Sequence, residues 1–172
     1  MKPEIFMDDF ERTEGGEAHY AVVGRTLTFA SRFEAICKTL SALVGLKSDR
    51  SLLDSEEQLK VFFEQLHRMP LARHLSSLSL EEESVAAILD EARKARNEIA
   101  HEVTLGLDRC LDSLPEGSIN YLLDRLRILS TRLAEGDKIV SYLASITTNE
   151  PIPNVEFLRN YTQMVAGWVC DL

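Results

Sequence analysis

No stretch of this 172-residue chain approaches the roughly 18 consecutive apolar residues that a membrane-crossing helix needs. The opening residues, Met1 to Asp9, are acidic and have no apolar core of the kind that secretion signals carry. A cytoplasmic protein without membrane contact is the expectation. Cysteine is scarce: Cys37, Cys110 and Cys170 are odd in number and far apart, which argues against a disulfide framework or a zinc site and favours buried free thiols. Basic residues are also in deficit, 19 Lys and Arg against 28 Asp and Glu, for a net charge of -9. Lysine and arginine supply most non-specific affinity for nucleic acid, so this balance excludes a broad nucleic-acid-binding surface. Any contact with RNA has to be local. Residues Met1 to Glu17 hold two bases and six acids and carry -4 of the total.

Proline and glycine gather at a few breaks, and no sustained two-residue alternation of apolar and polar residues occurs. Apolar steps of three and four residues dominate instead. The expected fold is therefore all-α, an up-and-down bundle of about five helices with short extra helical turns. Hydrophobic residues at 45% and charged residues at 27% suit a single soluble domain with a proper core.

Residues 1–16, ending in Gly15-Gly16, read as a flexible acidic tail in which Phe6 and Phe10 offer docking points, and residues 17–172 as one domain. A first helix is expected from Glu17 to Val44, with Val22, Leu27, Phe29, Phe33, Ile36, Leu40 and Leu43 on its apolar side and Gly45 as its stop. Asp54 or Ser55 can cap a second helix that carries Leu59, Phe62, Phe63, Leu66 and Met69 before Pro70 ends it. A short helical piece over Leu71 to Leu78 follows. Ser79-Leu80-Glu81-Glu82 has capping-box spacing, so a third helix is expected from there towards Gly106. A loop from Gly106 to Gly117 leads to a fourth helix opening at Ser118, with Leu122, Leu126, Leu129 and Leu133 on one face. Gly136 either ends it or lies inside a longer helix reaching Ile146. Pro151 and Pro153 mark a turn before a last helix with Phe157, Tyr161, Val165 and Trp168. Those aromatics read as core or dimer packing in preference to a base-stacking platform.

The chemistry concentrates in the second half of the third helix, where Arg96, Asn97 and His101 lie within six residues. Arginine presents a permanent planar fork to phosphate oxygens, and histidine exchanges a proton near neutral pH. RNA brings its own nucleophile, the ribose 2′-hydroxyl. A histidine acting as base or acid, an arginine holding the non-bridging oxygens and an asparagine orienting either group would suffice to cleave it without metal. Positions five apart on a helix differ by about 140° and about 7.5 Å of rise, so Arg96 and His101 cannot pair within one chain. Asn97 and His101, four apart, share a face. A two-fold dimer of this helix would bring both pairs to one groove. Spacing alone also fits a solvated face on which Glu98 and Glu102 pair with Lys94 and Arg93.

Leu89 to His101, LDEARKARNEIAH, resembles the signature of the HEPN superfamily, an arginine followed by a polar residue and, after four to six positions, a histidine. Arg96, Asn97 and His101 match it. The resemblance implies a helical bundle that dimerises through the motif helix. It further implies metal-independent endoribonuclease activity, with Arg96, Asn97 and His101 as catalytic residues and no cofactor, in toxin-antitoxin or phage-defence systems where an antitoxin or regulatory protein restrains it. Some members of such architecture are not nucleases, so the alternative is a non-catalytic module for dimerisation, nucleotide binding or protein binding.

Two Glu-x-x-His pairs, Glu64/His67 and Glu98/His101, have the spacing of helical di-iron ligands, with Glu34 as a third carboxylate. They fall off the apolar sides of their helices, and only Asp124 is available on the fourth helix, so no metal is expected. His19, His67 and His74 read as surface residues. Arg32 and Glu34 on the first helix are candidates to support the Arg96 cleft.

Overall fold

The computed structural model describes residues 12–103 and 110–171, and all regular structure among them is helical. The six helices are α1 (Glu14–Ser48), α2 (Glu56–Arg68), α3 (Leu71–Ser76), α4 (Glu83–His101), α5 (Glu116–Thr148) and α6 (Val155–Cys170). Short 3-10 turns occupy Arg50–Asp54 and Leu111–Ser113. No helix among the described residues is long and apolar enough to cross a membrane.

Helix α1 begins three residues before its expected start. Thr13 caps it by accepting the Gly16 N–H at 2.9 Å, and Asp112 in turn accepts the Thr13 N–H and hydroxyl at 2.8 and 2.9 Å. Gly16 is buried against the Asp112 carboxylate, which occupies the space a Cβ would need. Gly15-Gly16, read as the end of the tail, is thus the first turn of α1. Phe6 and Phe10 lie outside the described residues. The far end of α1 also overruns its expected stop: Gly45 stays helical, and its missing side chain makes room for the Phe62 ring of α2. Asp49 ends the helix instead, leaving helical dihedrals and accepting the Ser51 N–H.

Ser55 caps α2 as expected, accepting the Gln58 N–H at 3.4 Å, and Pro70 follows its end. The capping box at Ser79 does not form. The chain is still turning there, with Leu78 and Ser79 bonded back to Leu75 and Ser76, and Ser79 sits at φ 49°, in the left-handed region. Helix α4 starts four residues later, after Glu82. Helix α5 opens directly after Pro115, whose fixed φ suits a helix start, and it passes through Gly136 to Thr148. Asn149 then turns left-handed at φ 58° and closes the end with bonds from Asn149 and Glu150 to Ile146 and Ser145. Asn154 caps α6 through the Phe157 N–H at 2.8 Å.

Helices α1 and α5 run parallel, as the pairings of Arg32 with Asp137 and Lys47 with Thr147 require. Helix α4 runs antiparallel to α5, with Glu98 beside Arg125 and Glu91 beside Arg132. Helix α6 is also antiparallel to α5 and packs on a separate flank of the α1–α5 pair. The four long helices thus form an up-and-down bundle, and α2 and α3 fill the crossing from α1 to α4. The main core is built from Phe33, Leu40, Leu89, Ala92, Leu129, Leu133 and Val140, and a smaller cluster of Val22, Leu111, Leu122, Leu126 and Val169 closes the other end.

Gly136 explains its own position. A Cβ there would lie 2.3 Å from the Ala92 Cβ and 3.3 Å from the Phe33 ring, so α4 and α5 touch almost backbone to backbone. Next to it Asp137 is fully buried, yet its carboxylate accepts from the Arg32 guanidinium and from the Tyr161 hydroxyl. One buried charge thereby ties α1, α5 and α6 together. Burial and the neighbouring carboxylate push the Tyr161 phenol up, so it remains a donor. Trp168 and Phe157, expected in a core or dimer interface, are 56% and 39% exposed and do not belong to the core of this chain. They lie on the edge of the α6 face that turns Tyr161, Val165 and Val169 inward, and the Phe157 ring contacts that of Tyr161 with centroids 5.8 Å apart.

Two of the sequence expectations about single residues also change. Cys37 is buried, and burial pushes its thiol up to about 12, whereas Cys110 and Cys170 are only half-buried; none is in a disulfide. His74, expected at the surface, is fully buried on α3 between α1 and α2. The signal was present in the sequence, since Leu71, Leu75 and Leu78 step by four and three and His74 lies on the same face.

Two glycines on long helices separate packing from propensity. Gly24→Ala, which meets nothing within 4 Å, is expected to stabilise by about 0.5–1 kcal/mol. Gly136→Ala is expected to destabilise by about 1–3 kcal/mol through overpacking against Ala92. Urea unfolding of the two variants measures both signs. A second expectation concerns pH. Desolvation, then the Lys38 charge, hold the His74 pKa below its ordinary value. The unfolded chain then binds the extra proton first, so stability is full above about pH 6.5 and falls as pH drops towards the folded pKa. Unfolding followed from about pH 7 to about pH 5 is expected to show that loss, and His74→Gln to flatten it.

Candidate functional site

Helix α4 buries Leu89, Ala92, Ala95 and Ile99, which sets its rotation. Everything else on the motif follows from that rotation. Arg96 lies one step off the buried face, beside α1; Glu98 lies off the other side, beside α5; Asn97 and His101 point away from the core.

Arg96 is 20% exposed and forms an ion pair with Glu34 of α1, itself 20% exposed. Its second terminal nitrogen donates to the Asn97 side-chain oxygen at 3.1 Å, while its Nε is buried with no partner. The other Glu34 oxygen accepts from Lys38 at 2.6 Å. Burial alone would raise the Glu34 pKa, but Lys38 and Arg96 more than offset it and hold the carboxyl below the ordinary range. Glu34 thus does support Arg96. Arg32, the other candidate for that role, faces Asp137 instead.

His101 is the last residue of α4 and is exposed, with no hydrogen bond or ion pair to any described residue. The structure brings Arg96 and Asn97 into direct contact and leaves His101 apart from both. The solvated-face pairing expected from spacing takes a different form: Arg93 binds Asp90, Lys94 binds Asp90 and Glu91, and Glu98 takes the Arg125 guanidinium on two bonds, one of 2.6 Å. Arg125 was not foreseen because its partner is 27 residues away, beyond any helical spacing rule. Lys38 was missed as well, although its four-residue step from Glu34 is a visible signal.

Among the described residues, no three His, Cys, Asp or Glu side chains gather so that they could hold a metal ion. Glu98 and Glu34, two carboxylates of the di-iron pattern, are each taken by arginine, and Glu64, His67 and Asp124 are exposed. Comparison of the chain with protein-family models, with characterised proteins and with solved structures finds no match.

The Arg96–Glu34 pair is half-sheltered, so breaking it is expected to be felt. Arg96→Ala and Glu34→Ala are each expected to cost about 2 kcal/mol, with a coupling of about 1–2 kcal/mol in the double-mutant cycle. Chemical unfolding of the four proteins checks this, and full additivity would contradict the contact.

Proposed function

We propose that the outward face of α4 at Asn97 and His101 is the catalytic face of a metal-independent endoribonuclease, completed by a second copy of the chain across a two-fold axis. One observation carries this reading. In the second half of α4, each charged side chain from Arg93 to Glu98 is bound within the chain, whereas His101 is exposed and has no partner among the described residues. An unengaged imidazole is the group a proton-transfer step requires. His101 serves as base or acid towards the 2′-hydroxyl or the leaving 5′-oxygen, Arg96 neutralises the phosphate, and Asn97 orients Arg96. Dimerisation through α4 supplies the convergence that one helix lacks.

A protein of this activity endangers the cell that makes it, which fits a toxin or phage-defence effector held by an antitoxin or another regulatory protein. The acidic segment before α1, with Phe6 and Phe10, is a docking element for such a partner. One observation favours the second reading, a non-catalytic module of dimerisation or ligand binding: Arg96 is already neutralised by Glu34, so it meets a phosphate only by giving up that partner.

His101→Ala is the clean test, because the side chain is exposed and its loss is expected to change stability by less than about 0.5 kcal/mol. The purified protein, freed of any copurifying inhibitor and incubated with RNA and EDTA, is expected to leave 2′,3′-cyclic phosphate ends and to spare DNA. The variant is expected to lose that cleavage and to keep its dimer in sedimentation. Cleavage that survives the substitution overturns the assignment, and a wild-type dimer without cleavage selects the second reading.

A further inference from the structure

At the end of the bundle away from the Leu111 cluster, an open groove of about 680 Å³ runs between α1 and α2. Its basic lining is unusual for a chain of net charge -9: Lys38 from α1 and Lys60 and Arg68 from α2, with Glu64 as the one carboxylate. Lys38 is shared with Glu34, but Lys60 and Arg68 have no partner among the described residues. Phe63 and Leu66 provide an apolar wall.

His74 lies at the base of this groove, and it is the part that the fold leaves unexplained. The residue is fully buried, and neither ring nitrogen has a hydrogen bond. The carbonyls of Leu66 and Met69 are near the ring but not in bonding geometry. A buried polar group without a partner costs about 1–3 kcal/mol, and here two lie on one ring. Leucine in the same place would avoid that cost.

We propose that the α1–α2 groove binds a small phosphate-bearing ligand, with Lys60 and Arg68 on its oxygens, His74 donating from beneath and Phe63 against its organic part. The occupant is small because three side chains, Lys38, Lys60 and Arg68, supply the positive charge of the groove, whereas a nucleic-acid strand needs a basic track along its backbone. Phosphate suits the donor set, since guanidinium and ammonium groups converge on its oxygens with charge-assisted bonds and a neutral imidazole still has one N–H to give. The groove has the size and the mixture of apolar wall and few polar groups typical of small-molecule sites. His74 is fully buried, so contact with it requires the side chains above it to move aside, and the exposed, unpartnered Lys60 and Arg68 are free to follow the ligand inward. The inference does not depend on the ribonuclease reading, as no residue of the groove belongs to the Arg96–His101 motif.

The full chain, titrated with inorganic pyrophosphate at constant ionic strength, tests this through the imidazole resonances in NMR. A saturable shift of the His74 signals and a rise in its pKa are expected, with the His101 signals unmoved. The Lys60→Gln, Arg68→Gln double variant, altered only at exposed positions, is expected to bind at least about tenfold more weakly. Absence of a saturable shift at millimolar pyrophosphate overturns the proposal. So does a shift that sodium chloride reproduces, or one undiminished in the double variant.

Discussion

The near-contact of α4 with α5 at Ala92 and Gly136, beneath the Phe33 ring, is the constraint from which the rest of this structure follows. Two helices that approach this closely cannot rotate independently, because any side chain larger than methyl or hydrogen at the crossing would force them apart. Ala92 locks the inward face of α4, and Ala95 and Ile99 continue it. The outward positions are then assigned without further choice. Asn97 and His101 face away from the bundle, Arg96 leans onto α1, and Glu98 leans onto α5.

Ion pairs then hold the flanks of α4 in place. Arg96 with Glu34 fastens it to α1, and Arg125 with Glu98 fastens it to α5, so the helix is pinned on both sides of its apolar seam. Asp137 does the same for α6 from inside the core, at greater electrostatic expense because it is fully buried. An acidic chain has few cations to spare, and many of them are occupied in this way. Among the described residues, His101 at the end of α4 and Lys60 and Arg68 along α2 are among the basic groups without a partner. Lys38 and Glu34 sit between these two regions, since Glu34 binds Arg96 on one oxygen and Lys38 on the other, and Lys38 lines the groove over His74. The two candidate sites are separate in their chemistry but share a carboxylate as neighbour.

Local physics made much of this legible before any coordinates. The three- and four-residue apolar steps named the long helices and the leucines 122, 126, 129 and 133, all of which are buried, because amphipathic periodicity reports burial directly. Ser55 and Pro70 bounded α2 correctly, since capping and proline geometry depend on near neighbours only. The glycines were read less well. Gly16 reads as the end of the tail, Gly45 as a helix stop and Gly136 as either a stop or an internal residue, yet each is a helical position where another element needs the missing side chain. A glycine looks the same in sequence whether it bends a chain or admits a neighbour.

By itself, then, the sequence determined a helical bundle, the grouping of Arg96, Asn97 and His101 on one helix, and the failure of Arg96 and His101 to converge there, all of which follow from helical repeat. Only the tertiary structure decided that Arg96 is neutralised by Glu34, that Glu98 belongs to Arg125, that His74 is buried without a hydrogen bond among the described residues, and that His101, alone of the motif, has no partner among them. Those outcomes depend on which residues of distant helices reach the same level of the bundle. That level is set by the close crossing at Gly136, which no local pattern encodes.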